Sequence, residues 1–273
     1  MVKGLENKGT PKPELHIVAL SANISLMQKV ENKIENQGAL VEQMFGAGAH
    51  YGYSKTRRHP SVASYIYTNK NKTDIIDLEQ TAVMLGDATE FIKTLGARNK
   101  VVLFVGTKPE AKVSIKNAAE AINMPYVVER WIGGTLSNFT EIKKRIAELE
   151  NYNKDSTTGG LDKYTKKERV VMAKKMEKLA RYYTGLLGLK KAPDAIFIVD
   201  AKAEHIAATE AKGSNVPVVA LVNSDSNIKT LDYPIVANDA AIPSIKLFAE
   251  MIVTAYKAGQ MSAPADKPVA PKA

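Results

Sequence analysis

Along the chain, unbroken apolar runs alternate with stretches in which apolar positions recur every three or four residues. KVVLFVG (100–106), DAIFIVD (194–200) and PVVALVN (217–223) are continuous runs bounded by turn residues. That is the pattern of strands buried on both faces of a parallel sheet. YIYT, DIIDL and MPYVV are shorter β-rich runs, and DYPIVAND holds one more short strand. Between them the period changes. Met84, Ala88, Phe91, Ile92 and Leu95 share one face of a helix predicted over 81–95. Further helices are expected from about Pro109 to Asn123, over EHIAATEAKGS to Gly213, and from a cap at Asn238 or Asp239 to about Ala258. This alternation implies right-handed crossovers and an α/β fold with a doubly wound parallel sheet.

One interruption breaks the pattern. Phe139, Ile142, Ile146, Leu149 and Tyr152 form a narrow apolar stripe, and Met172, Met176, Leu179, Tyr183 and Leu186 form a second. Two seam-like stripes separated by DSTTGGLDKY read as an inserted antiparallel helical hairpin. A seam holds two helices together and leaves their other faces free, so the hairpin is either a structural arm or a binding arm. The expected organisation is therefore an N-terminal extension with a short helix (1–38) and a first part of the α/β domain (39–138). The hairpin (139–190), a second part of the α/β domain (191–258) and a flexible Ala/Pro/Lys tail (259–273) follow.

Composition narrows the classes. Hydrophobic residues make up 45% of the 273, enough for a core. No apolar run approaches the roughly 20 residues of a membrane span, and the N-terminus lacks a secretory apolar segment. The absence of cysteine removes disulfides, thiolate metal sites and a thiol nucleophile. A cytoplasmic location is the simplest reading. The net charge of +9 is unevenly placed. Residues 41–72 carry five cations against one acid, and 139–191 carry fourteen against seven, leaving the remainder at −2. Such concentration suits surfaces laid on a polyanion.

The candidate chemistry points away from catalysis. His16, His50, His59 and His205 form no metal-binding spacing, and no metal or cofactor is expected. Asp200 ends a strand where α/β enzymes place carboxylates, but no acid, base or nucleophile accompanies it. It is expected to hold the N–H groups of the next turn. VVLFVGTKPEAKVSIK resembles a phosphate loop at Gly106 and Lys112 only, with Ala111 and Val113 in place of the second glycine and the hydroxyl. No catalytic residue is assigned. Two loops mix cations with aromatic and small polar residues, as RNA binding asks. The first holds Tyr51, Lys55, Arg57, Arg58, Lys70 and Lys72, with Tyr65 and Tyr67 expected to face the core. The second holds Arg130, Trp131, Thr135 and Asn138, with Trp131 expected to pack at the hairpin root and Ser137 or Asn138 to cap its first helix. The hairpin adds Lys143, Lys144, Arg145, Lys174 and Lys175.

The segments AGAHYG, YIYTNKNKTDIIDLEQT, LFVGTKPEA, MPYVVERWIGGTLSNF, PDAIFIVDAKAEHIAATEA, PVVALVN and DYPIVANDAAIPSIK resemble, in order, the bacterial small-subunit ribosomal protein two (S-two) family over about residues 40–257. The resemblance implies a flavodoxin-like domain with a coiled-coil hairpin. It also implies a non-enzymatic, cytoplasmic component of the ribosome that binds small-subunit ribosomal RNA. Neighbouring small-subunit proteins are implied partners, including the messenger-binding S-one protein, with no membrane and no small-molecule substrate. Lys108 is then available to an RNA phosphate. The chain departs from the family at Tyr53, usually His, and at His59-Pro60, usually Trp-Asn after the double arginine. It also departs at Asn223–Asn227, where an Asp-Thr-Asn-Cys-Asp-Pro turn is normal, and at Pro243, where an Arg is expected. Two other classes stay open: a nucleotide-binding enzyme using Gly106, Asp200 and Asn223, and a module that docks proteins through the hairpin and the N-terminal helix.

Overall fold

A computed structural model describes residues 38–161 and 163–262. The expectations for the N-terminal extension before residue 38, and for the tail from 263, lie outside the described residues. Two compact units divide the chain at Gln43 and Met44. The second contains both sheets and all the helices that follow them.

The apolar runs form the sheet they predict. Strands β4 (Val102–Val105), β5 (Tyr126–Val127), β6 (Ala195–Val199), β7 (Val218–Val222) and β8 (Tyr233–Val236) lie parallel in the order β5-β4-β6-β7-β8. Every residue of β4, β6 and β7 is buried. Alternation sends successive side chains to opposite faces. Leu103, Val105, Ile196, Ile198, Val218 and Ala220 join one cluster with Trp131, Ile142, Ile146 and Ala207. Phe104 and Phe197 meet edge to face, with centroids 5.6 Å apart.

The connecting helices are α2 (Leu78–Ala97), α3 (Pro109–Glu120), α4 (Phe139–Thr158), α5 (Lys166–Tyr183), α6 (His205–Gly213) and α7 (Ile242–Ser262), after a helical turn α1 at 38–46. Asp77 starts α2 by accepting from the N–H groups of Glu79 and Gln80 at 3.0 and 3.4 Å. Thr165 and Glu168 cap α5 reciprocally, a capping box that satisfies two orphan donors. The first helix of the interruption runs on through Thr158, so only the part from Gly159 connects it to α5. Of the two apolar stripes, Ile142, Ile146, Leu149, Met176, Tyr183 and Leu186 are buried.

Three features differ from expectation. The runs at 65–76 do not join the parallel sheet. They pair with a strand not anticipated, β1 (Tyr51–Ser54), as an antiparallel sheet of order β1-β3-β2, with β2 at Ile66–Lys70 and β3 at Thr73–Ile76. Tyr67 does not face the core: it is 77% exposed. Tyr65 belongs to the preceding tight turn and the register shifts between Ile66 and Thr68, so simple alternation from Tyr65 fails. Finally, Asn138 stands at the start of α4 without a side-chain capping bond.

Helices α2 and α7 approach at two buried glycines. A methyl group on Gly96 would collide with the carbonyl of Tyr256, and one on Gly259 with the carbonyl of Lys93. By contrast, Gly86 on α2 has open space around it. We expect Gly259→Ala to destabilise the protein by about 1–3 kcal/mol through overpacking. Gly86→Ala should stabilise it by up to about 1 kcal/mol through helix propensity. Urea unfolding of the two variants checks the contrast; equal effects would contradict the close helix contact.

Candidate nucleic-acid interface

In α/β sheets, ligands settle beyond the C-terminal strand ends where the strand order reverses. Here that reversal falls between β4 and β6. The turn after β4 is tight because Gly106 lies under α3, where an added Cβ would meet Ile115 Cγ1 at 2.8 Å. The next two residues are already engaged. Thr107 donates its backbone N–H to Glu204 at 3.1 Å and its hydroxyl to the same carboxylate. Lys108 Nζ lies 2.6 Å from Asp200 Oδ2 and 3.1 Å from Asp239 Oδ2. It also donates to the Tyr53 hydroxyl at 3.3 Å.

Each carboxylate is set by local backbone. Asp200 follows β6 in the left-handed region, at φ 64°. Its Oδ1 accepts from the N–H groups of Lys202 and Ala203, at 3.1 and 3.0 Å, as expected from sequence. Asp239 is fully buried after β8 and accepts from Asn223 Nδ2 at 3.0 Å. Burial pushes its pKa up to about 6, Asp200 pushes the same way, and Lys108 opposes both. Burial works against the charge of Lys108, but Asp239 and Asp200 more than offset it and hold the ammonium protonated. Burial also raises Glu204, against the bonds from Thr107. Lys108, expected to be available to an RNA phosphate, has its ammonium shared between two carboxylates of the chain. The groups a phosphate loop would present are likewise taken.

The second loop is closed in a similar way. Glu210 of α6 accepts from the N–H groups of Gly134 and Leu136 at 2.7 and 3.1 Å, an anchor invisible in the local sequence. Trp131 is buried in the core cluster at the base of α4, and Thr135 is buried with its hydroxyl on the Ile132 carbonyl at 2.6 Å. Neither side chain presents a face to RNA. Arg130 and Asn138 are exposed.

The first loop divides. Arg58 grips the fully buried Asp74, with Nε 2.7 Å from Oδ2 and Nη2 on Oδ1, and Asn69 donates to the same acid at 2.8 Å. Arg58 holds the Asp74 pKa low, although burial alone would raise it. Arg58 is thus a structural cation and not a free phosphate ligand. Tyr51, Lys55, Arg57, Lys70 and Lys72 are all exposed. Pairing of Ser54 and Lys70 with Thr73, and a bond from the Lys55 N–H to the Lys72 carbonyl at 3.0 Å, bring the lysines to one end of the small sheet. Among the described residues, Lys55, Arg57, Lys70 and Lys72 make no ion pair.

The interrupting helices divide as well. Lys144 pairs with Glu141, while Arg145 and Lys175 share Glu148. Lys143 and Lys174 are exposed and make no ion pair among the described residues. No group of three or more His, Asp or Glu that could hold a metal occurs among the described residues.

A parallel α/β sheet whose ligand crevice is filled by its own side chains, with cations gathered on other surfaces, is the construction of a scaffold protein. The description "Ribosomal protein S2" matches residues 44–259. The chain is 39% identical over 236 residues to small ribosomal subunit protein uS2 of Rhodococcus erythropolis, covering 85% of this chain and 83% of that one. It is 39% identical over 219 residues to the uS2 protein of Nocardia farcinica (80% and 77% covered). Against that of Salinibacter ruber it is 38% identical over 219 residues (80% and 68%). The chain belongs to the ribosomal protein S2 family, whose members are structural, non-enzymatic proteins of the cytoplasmic ribosome.

Replacing the buried cation tests the strand-end cluster. Lys108→Met leaves two adjacent buried carboxylates unpaired, and we expect a loss of about 3–5 kcal/mol at pH 7. A carboxylate whose folded pKa exceeds its unfolded value stabilises at low pH and loses that contribution as pH rises through the folded value. Without Lys108 the pKa of Asp239 moves further up. The deficit against wild type should therefore be smaller at pH 5 than at pH 7, as measured by urea unfolding. An equal deficit at both would show that the carboxylates do not depend on Lys108.

Proposed function

We propose that the chain is a structural constituent of the small ribosomal subunit that holds small-subunit ribosomal RNA and helps to dock the messenger-binding S-one protein during translation. The observation that carries the RNA contact is the exposed set Lys55, Arg57, Lys70 and Lys72 at one end of the antiparallel sheet, which make no ion pair among the described residues. Cations so placed neutralise phosphates and fix position without reading sequence. Tyr51 beside them offers an exposed ring for stacking. Lys143, Lys174 and Arg130 extend the contact, and Lys144, Arg145 and Lys175 reach phosphates by exchanging exposed carboxylate partners, whose pairing is weak in water.

In this reading, 39–138 and 191–258 make one flavodoxin-like domain, and 139–190 is an antiparallel coiled-coil arm that carries its cations outward. The ion pair between Glu148 and Lys175 across the two helices supports that arrangement. The S-one role follows from the family resemblance.

If six to ten phosphates are contacted, affinity for small-subunit ribosomal RNA falls by roughly 10³–10⁵ between 50 and 200 mM salt. Reversing Lys55, Arg57, Lys70 and Lys72 to Glu together should weaken binding at low salt and flatten that dependence, with the circular dichroism unchanged. Filter binding across a salt series measures both. A flat dependence in the wild-type chain would overturn the reading.

A further inference from the structure

A cavity of about 560 Å³ lies between one face of α6, formed by His205, Ala208, Thr209 and Lys212, and the segment 225–231 that follows β7. His59 reaches its wall from the first basic loop. Its lining includes none of Lys108, Asp200, Asp239, Lys55, Arg57, Lys70 and Lys72.

Three properties define what the cavity can take. The first is unmet hydrogen bonding. Asp225 and Ser226 line it, and both Asp225 Oδ1 and Ser226 Oγ are buried without a partner. A buried acceptor without a donor costs stability and asks for a ligand that brings an O–H or N–H.

The second property is charge. The other oxygen of Asp225 is neutralised by Lys202 Nζ at 2.8 Å, which leaves Lys212 as the excess cation of the lining. His59 Nδ1 accepts from the Ser61 N–H at 3.2 Å, which places the ring proton on Nε2 as a donor. Helix α6 is nine residues long and begins at His205 with no side-chain cap on its first turn, so its N-terminus also favours an anion.

The third property is an apolar wall of Ala201, Ala208 and Leu231, next to the two imidazoles. Along α6 the lining runs from His205 to Lys212, about 10 Å at 1.5 Å per residue. A planar ring with a charged group at its side fits such a surface.

An anionic group, a flat ring and a hydroxyl or N–H donor occur together in a ribonucleotide. We propose that this cavity takes one ribonucleotide of an RNA strand. The base lies on the apolar wall, the phosphate is drawn by the helix start and the lysines, and the sugar 2′-hydroxyl donates to the Asp225–Ser226 wall. The inference rests on the RNA-binding reading above and names one contact within it. A free mononucleotide carries the same chemistry, and the experiment separates the two sources.

The test uses the full chain and three probes in fluorescence anisotropy: an unstructured, labelled hexaribonucleotide, its DNA counterpart, and unlabelled AMP or GMP as competitors. Thr209 is exposed, so Thr209→Trp blocks the cavity without touching the core. Ser226→Ala removes the orphan hydroxyl and should not lower urea stability, because that group has no partner to lose and its burial carries a cost. We expect Thr209→Trp to weaken the hexaribonucleotide about tenfold, the scale of one lost base stack. The preference for RNA over DNA should shrink in Ser226→Ala. Unchanged binding in both variants would overturn the inference while leaving the salt-dependent contact of the lysine set intact. Competition by AMP or GMP at concentrations as low as the hexaribonucleotide itself needs would overturn the RNA source in favour of a free nucleotide. Loss of salt dependence in the wild type would fail the broader reading, a separate result.

Discussion

Lys108 between Asp200 and Asp239 is the contact on which the rest of the molecule turns. It joins the turns after β4, β6 and β8 at the edge of the sheet where α/β proteins usually keep a ligand. Tyr53 brings the small antiparallel sheet onto the same ammonium, and Asn223 brings the turn after β7. The burial of Asp239 is tolerable only because a cation and an amide face it. Asn223 supplies that amide. Had it been acidic, a third carboxylate would have faced one lysine. Here the amide donates to Asp239 instead, and the cluster stays closed.

That closure divides the chain's charges between two jobs. Inward cations such as Lys108 and Arg58 neutralise buried carboxylates and pin loops to the sheet. Among the described residues, Lys55, Arg57, Lys70, Lys72, Lys143 and Lys174 make no ion pair, and Lys144, Arg145 and Lys175 pair at the surface. Glu210 makes the same division on the other side: it ties down the N–H groups of the double-glycine loop, which would otherwise suit an anion. A scaffold needs rigid loops to hold its free cations in register, and the buried pairs supply that rigidity.

The parts of the fold legible in the sequence were those set by local pattern. Continuous apolar runs marked β4, β6 and β7, and the stripes from Phe139 and Met172 marked α4 and α5. The turn role of Asp200 was legible because an Asp bonds backbone two or three residues on. Strand β1 was not, since YGYS is four residues long with a glycine inside it and has no clear alternation. Tyr67 was misplaced because the shift in register lies between β2 and β3, outside any local window. The partners of Lys108 and Arg58 were hidden for a related reason. Asp239 is 131 residues from Lys108, and Asp74 is 16 from Arg58, so a run of cations in sequence does not show which of them are spent inside the fold. The packing of Trp131 at the base of α4 was legible, whereas the burial of Thr135 was not.

The central claim is that this chain is a scaffold whose outward cations hold it on ribosomal RNA. Sedimentation of the tagged chain from cell lysate through sucrose gradients, at low and at high salt, tests it most directly. The account predicts co-migration with small ribosomal subunits at low salt and release to the top of the gradient as salt rises. A chain found only at the top under both conditions would contradict it.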